Sequence, residues 1–302
     1  MNPMRLGLVT AIALLMAASA AAQLPSEPTL GVAPAKARAL TVVPNAQAIE
    51  RTIWVPHLDE GWVPQGVTFA EGSLIVSAYR AKTAERAGSC QLARIDPASG
   101  KETGLYEIPA TCGHAGGLAY LGKNRLLVAD TFMLFEIDLA LAFKGQADKP
   151  DAAAIKRKIA LAGELRGSYI TSLKGVPWIG VYNRAGDSRI YAMAPEKLTA
   201  VRLNDNDADA AMILPQKAQG AAFDRDGQLW VSASSGTFGK LYRIDAKDGR
   251  VTAVFDMPAG IEDLTFDAEG KLWAVSEAGS APYAFWSTYC PVLFRIDIAK
   301  LQ

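Results

Sequence analysis

Short apolar runs alternate with polar turns along most of the chain, and this pattern predicts β-strands rather than helices. The segment GVTFAEGSLIVSAYR (66–80) contains an apolar run, a small polar turn and a second apolar run. The same shape returns four more times, at spacings of 51, 52, 51 and 43 residues. A repeat of this length is typical of propellers and solenoids. The five equivalent positions are Gly66, Gly117, Tyr169, Gly220 and Asp263.

A third apolar run follows each of these hairpins, as in LARID (92–96) and LFRID (293–297). In two repeats a turn with glycine then leads into a fourth run, as in DAKDGRVTAVFDMP (245–258). Four antiparallel strands form one blade of a propeller. We therefore predict an all-β fold, a β-propeller of five four-stranded blades over residues 51–302. Six blades are the second interpretation, with the extra blade in 139–168 or 195–219.

The last repeat has three apolar runs and lacks a fourth. The segment ERTIWVP (50–56), which precedes the first repeat, can supply the missing strand. Pairing of this segment beside 292–297 would join the last blade to the first and remove the open edges of the array. The sequence therefore predicts a propeller closed by an N-terminal strand.

The N-terminus has the features of an export signal. Arg5 precedes an apolar stretch that ends in a run of alanines, which suits a cleavage site. A membrane anchor is the alternative, but the apolar stretch is short for a span. We predict a signal peptide over 1–22, a Pro/Ala-rich leader over 23–50 and a periplasmic or secreted protein with no membrane span after cleavage.

Composition and charge exclude one class of partner. Among 302 residues, 31 Lys and Arg side chains balance 31 Asp and Glu side chains, and the basic residues form no run. Binding of a phosphate backbone needs clustered basic residues. We therefore expect no nucleic-acid partner. We also expect the protein to be a monomer.

The three cysteines allow one disulfide in an oxidising compartment. We favour Cys90–Cys112, which closes a loop of about twenty residues between adjoining elements. Cys290 would then be a free thiol near the channel mouth. The alternative bridge, Cys90–Cys290, would fasten the two blades that close the ring.

Two segments, FDRDGQLWVSASSGTFGKLYRID (223–245) and FDAEGKLWAVSE (266–277), resemble repeats of bacterial NHL-type, SMP-30/gluconolactonase-like and strictosidine-synthase-like propellers. The resemblance implies a propeller that is either a metal-dependent lactonase or esterase or a protein that only binds. SMP-30-like enzymes carry a glutamate at the start of one channel strand, where this chain has Glu262. They carry an asparagine where this chain has Gly116.

The chemistry of a propeller concentrates where its first strands begin and its second strands end, at one end of the channel that we call the mouth. Polar residues occupy these positions in each repeat, and acidic and amide oxygens suit a divalent cation such as Ca²⁺. Loop aromatics there could wall a pocket or merely cover the core. The expected catalytic residues are Glu262, Asp263, Glu277 and His114; the cation ligands are Glu262, Asp130 and Asn183; the ligand-binding residues are Gln65, Tyr79, Arg80, Ser168, Gln219, Ser234, Trp62 and Trp286.

Three functions fit this sequence. The first is a binding or scaffold module that holds a small molecule or a divalent cation in the mouth. The second is a metal-dependent hydrolase of a lactone or ester, in which the cation polarises the carbonyl and a carboxylate or His114 moves the proton. The third is a structural envelope protein. No motif of a serine hydrolase, a zinc protease, a phosphate-binding loop or a thioredoxin is present.

Overall fold

Five β-sheets surround a central channel in the computed structural model, which describes residues 28–81, 88–145 and 149–302. The first strands of the five sheets contact one another in a closed ring. The prediction of a five-bladed, all-β propeller is therefore confirmed. The blades, each written from the channel outwards, are: blade 1, β2 (Trp62–Ala70), β3 (Ser73–Arg80), β4 (Cys90–Ile95) and β5 (Glu102–Glu107); blade 2, β6 (Gly117–Tyr120), β7 (Arg125–Asp130), β8 (Met133–Asp138) and β9 (Ile155–Ala162), with β13 (Arg202–Asn204) added; blade 3, β10 (Tyr169–Leu173), β11 (Val176–Val181), β12 (Ser188–Ala192) and β14 (Ala210–Leu214); blade 4, β15 (Ala218–Phe223), β16 (Leu229–Ser235), β17 (Phe238–Ile244) and β18 (Val251–Met257); blade 5, β19 (Ile261–Phe266), β20 (Leu272–Ser276), β21 (Val292–Ile296) and β1 (Ile49–Trp54).

The six-blade interpretation is wrong, because the two segments reserved for an extra blade build other elements. Residues 139–168 contain a one-turn helix α1, a 3-10 turn and the outer strand β9 of blade 2. Residues 195–219 supply β13, which pairs in parallel with β9, and the outer strand β14 of blade 3. The helical elements are α1 (Leu139–Ala142) and 3-10 turns at Ala46–Ala48, Leu58–Glu60, Ala152–Ala154, Pro195–Thr199, Asp205–Asp207, Ala281–Tyr283 and Ile298–Lys300.

The N-terminal strand closes the ring as predicted. β1 runs antiparallel to β21, with Trp54 opposite Val292. The strand begins at Ile49, inside the predicted leader, and the leader itself contributes a further bridge. The Leu30 N–H donates to the Thr52 carbonyl at 2.9 Å, and the Trp54 N–H donates to the Leu30 carbonyl at 2.9 Å. The part of the leader from residue 28 onwards therefore packs on blade 5.

The predicted signal peptide over 1–22 and the first residues of the leader lie outside the described residues. Within the described ranges, we find no helix long and apolar enough to cross a membrane.

The recurring D-x-x-G-x-L-W phrase encodes a hairpin turn between the first two strands of a blade. In blade 4, Asp224 Oδ1 accepts the backbone N–H groups of Asp226 and Gln228 at 3.0 and 2.9 Å. Its other oxygen accepts the indole N–H of Trp230 at 2.9 Å. Gly227 has a φ of 79°, a left-handed conformation that glycine adopts without strain. Asp267 makes the same three contacts in blade 5.

Apolar side chains pack between neighbouring sheets, and the inner strands approach closely enough to require glycine. Ile75 and Tyr106 of blade 1 lie in one buried cluster with Phe135 of blade 2. Nearer the channel, a Cβ on Gly220 would lie 2.3 Å from the Cα of Asp263. A larger residue there would separate blades 4 and 5, so the glycine sets the width of the channel.

Candidate functional site

Three first strands carry a β-bulge at their mouth end. The register shifts lie between Pro64 and Val67 in β2, between Ala218 and Gly220 in β15, and between Ile261 and Leu264 in β19. A bulge re-aims the side chains of the extra residues. The side chains within these bulges include those of Gln65, Gln219 and Glu262, all three of them predicted site residues.

Glu262 and Glu277 form a hydrogen-bonded carboxyl pair at the mouth. Ile261 lies opposite Ser276 in the β19–β20 ladder, so Glu262 and Glu277, which follow these two residues, both belong to the mouth end of that ladder. Gln65 Nε2 donates to Glu277 Oε2 at 2.8 Å, and Gln219 Nε2 donates to Glu262 Oε1 at 3.1 Å. Side chains from blades 1, 4 and 5 therefore build one network.

Burial of this pair changes its titration. Glu262 is 2% exposed and Glu277 is 6% exposed. Burial, and next the neighbouring Glu277 carboxylate, raises the pKa of Glu262 well above its usual value of 4.5. Burial also raises the pKa of Glu277 to about 7. The pair therefore holds a proton at neutral pH, which two ordinary glutamates would not do.

Three tyrosines surround the pair, and two of them, Tyr182 and Tyr283, were not among the predicted site residues. Tyr283 lies beside Glu277, and its hydroxyl lies 3.4 Å from that of Tyr79. Burial, followed by the negative field of the two glutamates, raises the pKa of Tyr79. The sequence contained a signal for both missed residues, because Tyr182 follows β11 and Tyr283 lies in the aromatic run YAFWSTY.

A cavity of about 760 Å³ opens at the mouth beside this network. Gln219 and Tyr182 line the cavity and also border the carboxyl pair, Gln219 through its bond to Glu262. Ser168 lines it as well, and its Oγ accepts the backbone N–H of Tyr182 at 3.0 Å. The other lining residues are Thr111, Gly113, His114, Asp130, Thr131, Phe132 and Met133.

His114 lies on the cavity wall, with its ring centroid 5.5 Å from that of Tyr79. Burial lowers the pKa of His114, so its imidazole is neutral at pH 7. Asp130 fixes the loop that carries it, because Asp130 Oδ1 accepts the N–H groups of Gly113, His114 and Ala115 at 3.1, 2.7 and 3.2 Å. Asp130 is thus a positioning residue for His114.

The sequence predicts Asp263 at the mouth, but the structure places it elsewhere. Its side chain is fully buried inside the channel, where Oδ2 accepts the backbone N–H groups of Val67 and Leu118, each at 3.1 Å. These donors belong to the first strands of blades 1 and 2. Asp263 therefore ties three inner strands together, which is a structural role rather than the expected catalytic one.

Each of the three expected cation ligands is engaged in other contacts. Glu262 is engaged with Gln219 and Glu277, and Asp130 with its own loop. Asn183 Oδ1 accepts the N–H groups of Ala185 and Gly186, both at 3.1 Å. Within the described ranges, the group of three potential ligands found is Cys90, Cys112 and Asp130. Two of these are disulfide sulfurs, which offer a hard cation no anionic oxygen.

The remaining predicted ligand-binding residues lie around the mouth with different contacts. The guanidinium of Arg80 lies 4.9 Å over the ring of Trp62, which is itself buried. The ring of Trp286 lies tilted against that of Tyr283, with the centroids 4.5 Å apart, and packs on the backbone of Gly236. Loop and strand residues from blades 1, 4 and 5 therefore meet at the same rim.

The predicted bridge between Cys90 and Cys112 is present, with the Cα atoms 5.6 Å apart. Cys290 is free, as that pairing implies, and it is buried in the hydrophobic core with Trp54 and Phe294. Burial raises the pKa of this thiol to about 12, which makes it a poor nucleophile.

No family model matches the sequence, and no curated protein matches it. Solved structures are similar in fold. Glutaminyl cyclase from Myxococcus xanthus has a TM-score of 0.55 at 15% identity, covering 82% of this chain and 94% of that one. The PQQ-bound form of aldose sugar dehydrogenase from Streptomyces coelicolor has a TM-score of 0.51 at 14% identity, covering 82% and 97%. At this identity the likeness shows a β-propeller fold shared with enzymes.

Proposed function

We propose that this protein is an exported β-propeller that binds a small organic molecule in the cavity at the channel mouth. The observation that carries the proposal is a cavity of about 760 Å³ at the mouth, lined by polar side chains of blades 2, 3 and 4, in which Gln219 joins the cavity wall to the buried carboxyl pair. A cavity of this size, walled partly by aromatic rings and equipped with a few oriented polar groups, is typical of small-molecule sites. The predicted signal peptide and the Cys90–Cys112 bridge support export to an oxidising compartment.

Hydrolysis of a lactone or ester is the second candidate, and the Glu262–Glu277 pair is the observation that favours it. Two neighbouring carboxyls with different proton affinities can act as acid and base in one reaction. Glu277, with a pKa near 7, would accept a proton from water, while Glu262 would stay protonated. The resemblance of the repeats to SMP-30-like propellers adds lactones to the compounds worth testing.

The metal-dependent form of this chemistry receives less support from the site. Asp130 and Asn183 already use their side-chain oxygens to hold backbone N–H groups. Binding of Ca²⁺ would break those loop contacts, at a cost of about 1–3 kcal/mol where Asp130 is withdrawn from its partly buried and buried donors and less at the exposed turn of Asn183. We therefore expect ligand binding, and hydrolysis if the second candidate is correct, to proceed without added Ca²⁺.

A panel of lactones, aryl esters and uncharged small metabolites, each with and without Ca²⁺, tests the proposal by calorimetry and by product formation. We expect at least one compound to bind the wild type, and Gln219→Ala to weaken that binding more than tenfold. Gln47→Ala is the matched control, because Gln47 is exposed and bonds only to Asn45.

Equal binding by both variants would show that the ligand lies elsewhere. Absence of binding across the panel, together with silent substitution of Gln219 and His114, would favour the structural envelope role instead.

A further inference from the structure

The carboxyl pair at the mouth carries negative charge that no basic side chain among the described residues neutralises. In the described part of the chain, no Lys, Arg or His forms an ion pair with Glu262 or Glu277. Basic groups of the rim are directed elsewhere: Arg80 lies over Trp62, and Arg166 donates to the carbonyl oxygens of Gly163 and Leu165. A buried carboxylate without a counter-ion favours a cation from outside.

The hydrogen-bonding capacity of the pair is nevertheless largely filled. Glu277 accepts an amide N–H of Gln65 and shares a hydrogen bond with Glu262, while Glu262 also accepts an amide N–H of Gln219. A primary ammonium group brings three N–H donors that each need an acceptor. A cation that carries charge without donors fits this site better.

Aromatic side chains supply what such a cation needs. Tyr79, Tyr182 and Tyr283 all lie within the electrostatic range of both glutamates. Trp286 extends this surface, with its ring 4.5 Å from that of Tyr283. The faces of aromatic rings attract cations, and the attraction is strongest for cations that are weakly hydrated and removed from water.

An unpartnered buried hydroxyl lies at the same place. Ser234 is 1% exposed, and its Oγ has no hydrogen-bond partner within the described residues. It follows Ser232 by two positions in β16, so both side chains lie on one face of the sheet, and Ser232 Oγ donates to the carbonyl of Glu262. Ser234 is therefore free to bond a polar atom of a ligand beside the acidic pair.

We propose that the mouth site takes a quaternary ammonium group, held by the tyrosine and tryptophan rings over the uncompensated Glu262–Glu277 pair. This inference rests on the proposed function and names the ligand class of the same site. A trimethylammonium group needs a negative charge and aromatic contacts rather than hydrogen-bond acceptors. The site offers that charge and those contacts. A short polar arm on the ligand reaches the cavity past Gln219.

Three small probes test the proposal by calorimetry on the exported, disulfide-bonded protein at pH 8 and low salt. Choline carries the quaternary ammonium, 3,3-dimethylbutan-1-ol has the same shape with carbon in place of nitrogen, and ethanolamine carries a primary ammonium. We expect choline to bind at least about tenfold more tightly than the other two, because only choline combines a positive charge with a weakly hydrated surface that aromatic rings attract.

Substitutions assign the effect to the site. Glu277→Gln should weaken choline binding about tenfold and leave binding of the neutral alcohol unchanged. Tyr283→Leu should weaken choline binding, whereas Tyr283→Phe, which keeps the ring, should retain most of it. Glu269→Gln is the matched control, because this glutamate is 70% exposed and lies away from the mouth.

Three results overturn the proposal, and they separate it from the proposed function. Equal affinity for choline and its neutral analogue would show that the site binds small molecules without selecting for an ammonium group. Tighter binding of ethanolamine than of choline would mean that N–H donors are recognised. Failure of all three probes while a lactone or ester binds the mouth would refute the ammonium class alone, and failure of every compound would refute both.

Discussion

Glu262 and Glu277 are the two residues whose chemistry differs most from that of an exposed side chain of the same type. Each is buried and each has its pKa raised by burial, and the pair is hydrogen-bonded. Gln65 and Gln219 hold the two carboxyls in place with amide N–H groups. The result is a proton held at the mouth of the channel beside three phenols.

The raised pKa of Glu277 predicts how stability depends on pH. A free glutamate loses its proton near pH 4.5, whereas folded Glu277 keeps it until about pH 7. The folded state therefore binds more protons over this range, and the free energy of unfolding falls as the pH rises from 4.5 through 7. We expect wild type to lose about 2–3 kcal/mol across this window relative to Glu277→Gln. Urea unfolding of both proteins at pH 4.5, 6 and 7.5 measures the difference, and parallel curves would contradict the burial argument.

Hairpin turns and the disulfide loop show how single elements position the mouth. In the D-x-x-G-x-L-W turns, one aspartate caps the turn and holds the tryptophan of the next strand. The bridge from Cys90 to Cys112 fixes the segment that leads directly to His114, and Asp130 holds that segment from the other side. The element that carries His114 is therefore restrained twice.

Asp224→Ala should destabilise the fold through one turn. The substitution leaves two backbone N–H groups and the indole N–H of Trp230 without their acceptor. Partial rescue by water keeps the expected loss to about 2 kcal/mol. Asp226→Ala, in the same turn but with an exposed side chain, is the control and should change stability by less than about 0.5 kcal/mol. Chemical denaturation compares the two, and equal effects would contradict the assigned role of Asp224.

Removal of the disulfide should lower the stability of the fold. The double change Cys90→Ser and Cys112→Ser opens a loop of 22 residues, with an expected loss of about 3 kcal/mol. Reductant should lower the melting temperature of the wild type and leave that of the double variant unchanged. A reductant effect of equal size in both proteins would show that the bridge is not the sensitive element.

The whole molecule depends on closure of the ring, which joins segments far apart in the chain. β1 pairs with β21, and His57 in the loop after β1 contacts blade 1. His57 Nδ1 contacts Glu60 at 2.7 Å, and His57 Nε2 contacts Glu102 on β5 at 2.8 Å. The hydrogen bond to Glu102 is the largest cause that raises the pKa of His57, to about 9.

Closure should therefore weaken in alkali. His57 has a folded pKa of about 9 against 6.5 for a free histidine, so its stabilising contribution is complete below pH 6.5 and is lost as the pH rises through 9. We expect His57→Gln to be about 1–3 kcal/mol less stable than the wild type at pH 6 and about equally stable at pH 10. Unfolding curves at the two pH values supply the comparison, and a deficit that persists at pH 10 would indicate a packing role for the ring.

The repeat by itself determined the five blades, the closing strand and the set of mouth positions, because strand periodicity and turn residues are local properties written in each unit. The same reasoning favoured Cys90–Cys112, since sequence proximity and adjoining elements made that pairing short. Position in a repeat could also place Gln65, Gln219, Glu262 and Glu277 at the mouth.

Only the tertiary structure decided which of these residues share a network. The bulge in β19 directs Glu262 to the mouth while its neighbour Asp263 turns into the channel, and the local sequence does not distinguish the two carboxylates. Asp130 matches the chemistry of a cation ligand, yet a loop 15 to 17 residues earlier in the chain supplies the backbone N–H groups that occupy its carboxylate. Burial, which sets the proton affinity of Glu277, arises from blades that are more than 200 residues apart in the chain. Hydrogen-bond partners and burial depend on such distant contacts, and so they lie beyond what a repeat can specify.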